Sequence, residues 1–448
     1  MNLRLFNAVD LVVLPLVVGI ILIILSFLRK KQPVEIQKYF YSAFYLRILG
    51  ALSITFIYEF VYGTGDTFGY YHHTQVISSF FSKSVNGWFQ ILMNDTQGDN
   101  PWIQKCMAKV GEISYANTLF FSEQENANVS KIASVFNLVC FNSYIGISLF
   151  FGMFSFLGCW YIFRTFIKLF PGYNKQFAIF CLFLPSLWFW GNGILKDPIS
   201  IYGLGIIVYN IYTSDKSYIK RILFVAFGYF ILHNIKGYIF SAFAIAALLS
   251  FVVTKLKSFS LLGKMTAFVI LTGLLGAFYG TISTYIFEGF SEILLTSQSF
   301  INSYEVASSE GTGAVVSSFN PTPLGFLILA LEGLVNVYLR PFPWELRKIV
   351  YLFSIMENLL VYYIIFHKLK LSERKITQAS TIFKNFSIAF FIILGVIVGV
   401  TTFNLGTISR YRVPALPFIF AGLFASKIVN GNKRRNDTIV IFKQNVTA

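Results

Sequence analysis

Charged and aromatic residues that could bind or transfer a chemical group fall in four short clusters, and the first follows an apolar run. It contains Asp66, Tyr70, Tyr71 and His72. One carboxylate beside aromatic rings could act as a general base that removes a proton from an acceptor hydroxyl. The alternative is that Asp66 caps the helix predicted to follow it. His72 and His73 do not define a metal site, because adjacent residues on a helix point about 100° apart. The identity of any metal stays unknown.

The second cluster joins two apolar runs and contains Trp190, Lys196 and Asp197. Lys196 could bind a phosphate, or it could extend its ammonium group to the edge of a membrane. Asp197 precedes Pro198, so a helix N-cap explains it as well as contact with a substrate does. A later turn at 233–238 offers a second cation, Lys236, for a phosphate.

The third cluster contains Arg340, Trp344 and Glu345, in a stretch that two prolines make non-helical. Arg340 could bind a phosphate while Trp344 and Glu345 contact the substrate. Arg340 and Glu345 could equally form a pair with each other.

The fourth cluster is Arg410-Tyr411-Arg412, at the start of the last apolar run. Planar guanidinium groups suit bidentate binding of phosphate, and a tyrosine ring can contact a sugar. We expect Arg410 and Arg412 to bind a donor phosphate.

The elements that position these clusters are membrane spans. Of the 448 residues, 56% are apolar and only 12% are charged, whereas a soluble domain is about 25% charged. Backbone groups in lipid must be satisfied within their own segment, so the spans are predicted to be helices. The sequence thus predicts an all-α polytopic protein, a single transmembrane domain over 1–448 with about eleven spans. They lie near 8–28, 46–63, 138–163, 176–194, 198–213, 221–234, 237–254, 265–287, 348–366, 384–404 and 412–429.

Basic residues between the spans predict the orientation. The net charge of +16 comes largely from Lys and Arg in short loops, which is the positive-inside pattern and not a nucleic-acid surface. External segments are then 64–137, with short interfacial helices, and 288–345. Within the second, 322–339 is predicted to be re-entrant or interfacial. The tail 430–448 is predicted to be cytoplasmic, and the four clusters would meet at an external cavity.

At these residues the chain resembles the GT-C superfamily of membrane glycosyltransferases, which includes protein O-mannosyltransferases and aminoarabinose transferases. The resemblance lies in Gly65-Asp66 with Tyr70-Tyr71, in the turn from Trp190 to Asp197, and in Arg410-Tyr411 before the last span. It implies a polyprenyl-phosphate sugar donor, extracytoplasmic chemistry in a plasma (inner) membrane, and Asp66 as the base. It implies no certain cofactor, although a divalent cation is possible. Thr67 stands where the family usually has a second acidic residue.

Two alternatives remain open. The chain is also similar to EpsG-type and Wzy-type polymerases, which join lipid-linked saccharide repeats alongside other polysaccharide assembly proteins. A transporter or flippase of lipid-linked saccharides would share the many spans and the aromatic residues, but it should more often contain spans broken near the bilayer midplane.

Overall fold

The computed structural model describes residues 4–93, 104, 108, 124–258, 322–346, 349–363, 378–402 and 404–426. All the regular elements in these residues are helices. The helices of the first half are α1 (Asp10–Lys30), α2 (Val34–Phe56), α3 (Asp66–Phe81), α4 (Val85–Met93), α5 (Gln124–Cys140), α6 (Tyr144–Leu169), α7 (Asn174–Ala178) and α8 (Pro185–Phe189). The remaining helices are α9 (Lys196–Tyr212), α10 (Tyr218–Ser258), α11 (Pro323–Tyr338), α12 (Ile349–Tyr363), α13 (Gln378–Thr401), α14 (Leu405–Tyr411) and α15 (Leu416–Ser426).

Several helices are long and apolar enough to cross a membrane. Within the described ranges there are five: Asp10–Lys30, Val34–Tyr62, Tyr144–Leu169, Tyr218–Leu256 and Ala379–Thr401. The predicted all-helical class is therefore confirmed for the described residues, and the apolar helices are consistent with a membrane protein. The count of about eleven spans remains a prediction. The span predicted at 265–287 lies outside the described residues.

Helices α6 and α9 run side by side in the same direction and define two ends of the bundle. At the upper end, Thr67 Oγ1 lies 2.7 Å from the Tyr144 hydroxyl. At the lower end, Lys168 Nζ donates to the carbonyl of Thr213 over 2.8 Å. A methyl group on Gly158 would collide with the backbone of α9, so the two helices touch closely there. The ends of α6 are about 38 Å apart at 1.5 Å per residue, enough to cross a bilayer.

Helix α10 bends back on itself at Lys236, whose backbone is not helical (φ −150°, ψ 76°). The rings of Tyr229 and Phe240 lie 4.6 Å apart, although a straight helix would separate these residues by about 16 Å along its axis. At the lower end, Arg221 Nε donates to the carbonyl of Asn210 over 2.8 Å. The two legs of α10 match the two apolar runs at 221–234 and 237–254, and Lys236 occupies the tip at the upper end.

Two predicted spans are interrupted by a break or a turn. The run at 176–194 is not one helix, because a π-helical turn ends at Phe183, Leu184 is extended (ψ 132°), and α8 starts at Pro185. A residue before proline disfavours the helical conformation, which explains the break. The run at 138–163 crosses a turn in which Phe141 and Asn142 have positive φ, so the long helix begins only at Tyr144.

Helix α11 enters the bundle from the upper end and stops partway down. It packs antiparallel to α13, with Gly333 against Gly399 and the Tyr338 hydroxyl 2.6 Å from the carbonyl of Phe391. Beyond Tyr338 the chain becomes non-helical. Tyr362, near the end of α12, donates to the Tyr338 carbonyl over 2.8 Å. The re-entrant or interfacial position of 322–339 remains a prediction.

Candidate functional site

Four charged side chains from four separate elements meet at the upper end, and we refer to Asp66, Asp197, Lys236 and Arg410 as the ion cluster. Lys236 Nζ lies 2.6 Å from Asp197 Oδ1. Arg410 donates from Nε to Asp197 Oδ2 and from Nη1 to Asp66 Oδ2, the latter over 3.1 Å. Arg410 therefore links a carboxylate on α3 to one on α9.

Local sequence explains how Asp66 reaches this position. Gly63 and Gly65 have φ values of 67° and 131°, which only glycine adopts readily, and they reverse the chain between α2 and α3. Asp66 is the first residue of α3. The next residue, Thr67, donates from Oγ1 to the Ile194 carbonyl over 3.1 Å. This bond joins the start of α3 to the turn that leads into α9.

The other members of the cluster also lie where helices start, turn or end. Asp197 is in the first turn of α9, and Lys236 is the tip of α10. Arg410 lies in the last turn of α14, whose first turn is capped by Asn404 Oδ1 accepting from the Gly406 amide over 2.8 Å.

The two carboxylates of the cluster differ in how deeply they are buried. Asp197 is completely buried, and Lys236 and Arg410 are also buried, whereas the Asp66 side chain is 49% exposed. Burial alone would raise the pKa of Asp197, but Arg410 and Lys236 outweigh burial and hold the pKa below the ordinary aspartate value. Asp197 is therefore a structural anion, and Asp66 is the carboxylate that a ligand can reach.

Arg410 keeps part of its guanidinium available. Its Nη2 atom has no hydrogen-bond partner among the described residues and is not fully buried. Asp66 Oδ1 likewise has no partner there. The cluster thus offers one donor and one acceptor side by side.

Aromatic rings surround the cluster. Lys236 Nζ lies 3.9 Å from the centre of the Tyr411 ring, and Arg410 Cζ lies 6.0 Å from that of Trp190. Tyr70 donates from its hydroxyl to Asn126 Oδ1 over 2.8 Å. Burial, followed by the charge of Asp66, raises the pKa of Tyr70, so this tyrosine acts as a neutral donor. Such rings provide flat faces of the kind on which sugars pack.

A second ion pair lies beside the cluster. Lys196 Nζ is 2.8 Å from Glu125 Oε2, and the Glu125 side chain is half-exposed. Glu125 and Asn126, at the start of α5, were not among the residues chosen from the sequence. Their place depends on packing between distant segments, and no local pattern marks them.

The remaining predicted phosphate-binding arginines lie apart from the ion cluster. Arg340 donates from Nε to Glu345 Oε1 over 2.9 Å, the pair that the sequence left open as an alternative. Arg412 is buried and donates to Val337 O over 3.0 Å and to Asn358 Oδ1 over 2.7 Å. Both arginines hold the end of α11 in place, and within the described part of the chain neither forms a hydrogen bond to the ion cluster.

The other predicted contacts are more scattered. Trp344 is mostly exposed. Tyr71 donates from its hydroxyl to the Asn142 carbonyl over 2.5 Å, which ties α3 to the start of α6. Burial lowers the pKa of His72, so its ring is neutral near pH 7. Within the described residues no group of three or more His, Cys, Asp or Glu side chains is arranged to hold a metal ion.

An apolar cavity of about 680 Å³ adjoins the cluster. Trp190 lines it and also lies beside Arg410. Ser409 and Arg412 also line the cavity. The residues on either side of Arg410 therefore form part of its wall. Phe56 and Phe353 also line the cavity, and each is more than half exposed. The cavity therefore lies beside the ion cluster and presents apolar side chains.

No protein-family model, curated protein or solved structure matches this chain. The function is therefore inferred from the chemistry of the ion cluster and of the cavity beside it.

Proposed function

We propose that the protein is an integral membrane glycosyltransferase that takes a sugar from a polyprenyl-phosphate donor at the extracytoplasmic face. The observation that carries this proposal is the meeting of a charged site and an apolar cavity at Trp190. A ligand that suits both has a head group that can accept from Arg410, such as a phosphate, and a hydrocarbon chain.

The head group suits the ion cluster. A phosphate oxygen can accept from Arg410, whose guanidinium presents parallel N–H groups. Asp66, half-exposed and on the same arginine, stands next to that phosphate. The hydrocarbon chain of the donor suits the cavity, because the cavity lining is predominantly apolar. Burying hydrocarbon there gains about 25 cal/mol of free energy per Å².

The chemistry that follows is a nucleophilic substitution at the anomeric carbon. Asp66 accepts the proton of the acceptor hydroxyl while the acceptor oxygen forms a bond to the anomeric carbon. The bond from that carbon to the phosphate oxygen breaks, and its electron pair stays on the phosphate. Arg410 stabilises the charge that develops there. A polymerase that joins lipid-linked saccharide repeats would use the same chemistry with a larger acceptor.

A transporter or flippase of lipid-linked saccharides is the second candidate, and two observations favour it. The backbone leaves the helical conformation at Leu184, just before α8, and α11 ends partway into the bundle. Irregular backbone inside a membrane domain is typical of transporters. The ion cluster itself lies at helix ends of the upper face, which favours an enzyme.

The test is sugar transfer by the purified protein in lipid vesicles, with a polyprenyl-phosphate sugar as donor. Asp66→Asn keeps the size of the side chain and removes its basicity, so turnover should fall by roughly 10²–10⁴-fold. Asp215→Asn is the matched control, because it neutralises an exposed aspartate that is paired with Lys168 at the lower end, and it should retain activity.

Two results would contradict the proposal. Turnover close to the wild-type rate in Asp66→Asn would remove this residue from the mechanism and support its role as a helix cap. Movement of a labelled lipid-linked sugar across the vesicle, without any transfer to an acceptor, would favour the transporter.

A further inference from the structure

Arg410 is shared between two carboxylates that hold it with unequal strength. Asp197 is fully buried and has two cationic partners, Lys236 and Arg410. Asp66 is half-exposed and pairs with Arg410 alone among the described residues. Exposed ion pairs are weak, whereas separating a buried pair leaves a charge without compensation. An incoming anion will therefore displace Asp66 before it displaces Asp197.

The guanidinium geometry shows where the anion would bind. Nε is used by Asp197, Nη1 by Asp66, and Nη2 has no partner among the described residues. Nη1 and Nη2 form one edge of the planar group, which matches the spacing of two oxygens of a phosphate. A phosphate that binds this edge can start on Nη2 and then take Nη1 from Asp66.

We propose that a phosphate ester binds the Nη1–Nη2 edge of Arg410 by exchange with the Asp66 carboxylate, so that donor binding itself releases the catalytic base. This inference rests on the proposed function, for which it adds the order of events. Before the donor binds, Asp66 Oδ2 is engaged by Arg410. Once the donor has bound, Asp66 is free beside the reacting sugar, and Asp197 keeps the arginine in place.

The exchange predicts that a substitution of Asp66 strengthens ligand binding instead of weakening it. Asp66→Asn should bind the phosphate ester more tightly than the wild type, because the ligand no longer competes with a carboxylate. An exposed ion pair corresponds to about a two- to fivefold change in affinity. A residue that only contacts the donor, or only supports the fold, would instead weaken binding when it is substituted.

The experiment measures the affinity of farnesyl phosphate for the full-length protein in lipid nanodiscs, through quenching of tryptophan fluorescence or by calorimetry. Farnesol and inorganic phosphate are measured in parallel, which separates the contribution of the chain from that of the phosphate. Arg410→Gln should abolish the preference for farnesyl phosphate over farnesol. Asp215→Asn controls for the general loss of a negative charge, because this exposed aspartate pairs with Lys168 at the lower end.

Tighter binding of farnesyl phosphate by Asp66→Asn, with binding by Asp215→Asn unchanged, supports the exchange. Equal or weaker binding by Asp66→Asn overturns it, and so does an equal gain in both variants, since that would be a general effect of charge. If the wild type binds farnesyl phosphate no better than farnesol, the proposed function fails together with the exchange. Binding by the wild type that Asp66→Asn does not tighten overturns the exchange alone.

Discussion

Replacement of Asp197 by asparagine tests whether this carboxylate holds the ion cluster together. The substitution keeps the volume of the side chain but leaves Lys236 and Arg410 buried without their shared anion. Removing one partner of a buried ion pair costs about 3–5 kcal/mol. Loss of a proton from Lys236 and the remaining bond from Arg410 to Asp66 would limit this cost. We therefore expect the free energy of unfolding to fall by about 3 kcal/mol.

The matched control is Asp66→Asn, in which the carboxylate is half-exposed and the arginine keeps its buried partner. An exposed pair contributes at most about 1 kcal/mol. The assay is denaturant unfolding of the purified protein in mixed micelles, followed by tryptophan fluorescence and a second probe to verify a single transition. The two aspartates should differ by about 2 kcal/mol.

A double variant separates charge from shape. Asp197→Asn combined with Lys236→Met removes the unpaired ammonium, and it should recover part of the loss if the cost is electrostatic. Equal unfolding energies for Asp197→Asn and the wild type would refute the assignment of Asp197 as the structural anion. Strict additivity in the double variant would refute the direct coupling of these two residues.

Three further outcomes are expected. Arg412→Lys should lower the amount of folded protein and the activity together, because its guanidinium serves several acceptors near the end of α11; loss of activity alone would place it in the donor site. Gly158→Ala should destabilise the protein because α9 lies against this glycine, whereas Gly19→Ala, with open space around it, should not, as thermal unfolding will show. An impermeant thiol reagent applied to intact cells should label a cysteine placed at Asp66 but not one at Tyr218, and labelling at Tyr218 would reverse the orientation.

The composition and the apolar runs were enough to predict a helical membrane protein, since lipid leaves few other ways to satisfy the backbone. The helix boundaries were harder to predict. Arg47 lies inside α2, fully buried, and donates to the Leu187 carbonyl. The apolar run predicts that this helix starts at 46, whereas it begins at Val34, because its first turns contain polar residues. The break before Pro185 was visible in the sequence, because the residue before a proline disfavours helix.

The candidate site was predictable in part. Asp66, Asp197, Lys236 and Arg410 were all chosen from the sequence, but their pairing depends on contacts between distant segments that no local pattern specifies. The separation of Arg410 and Arg412 had a local signal. Residues two positions apart on a helix point in nearly opposite directions, about 200° apart, so both arginines could not face one phosphate from a helical segment.

The charges of the ion cluster give a physical reason for a base at this position. Two carboxylates and two cations make the cluster formally neutral. A bound phosphodiester donor adds one negative charge, and loss of the sugar leaves a phosphate with a second one. If Asp66 takes the proton of the acceptor hydroxyl, it becomes neutral in the same step, so the total charge does not change. Without a base here, the proton would have to leave for bulk water while the charge on the phosphate grows in the site. In the proposed reaction the half-exposed Asp66 serves both proton transfer and charge balance, while the buried Asp197 holds the two cations in place.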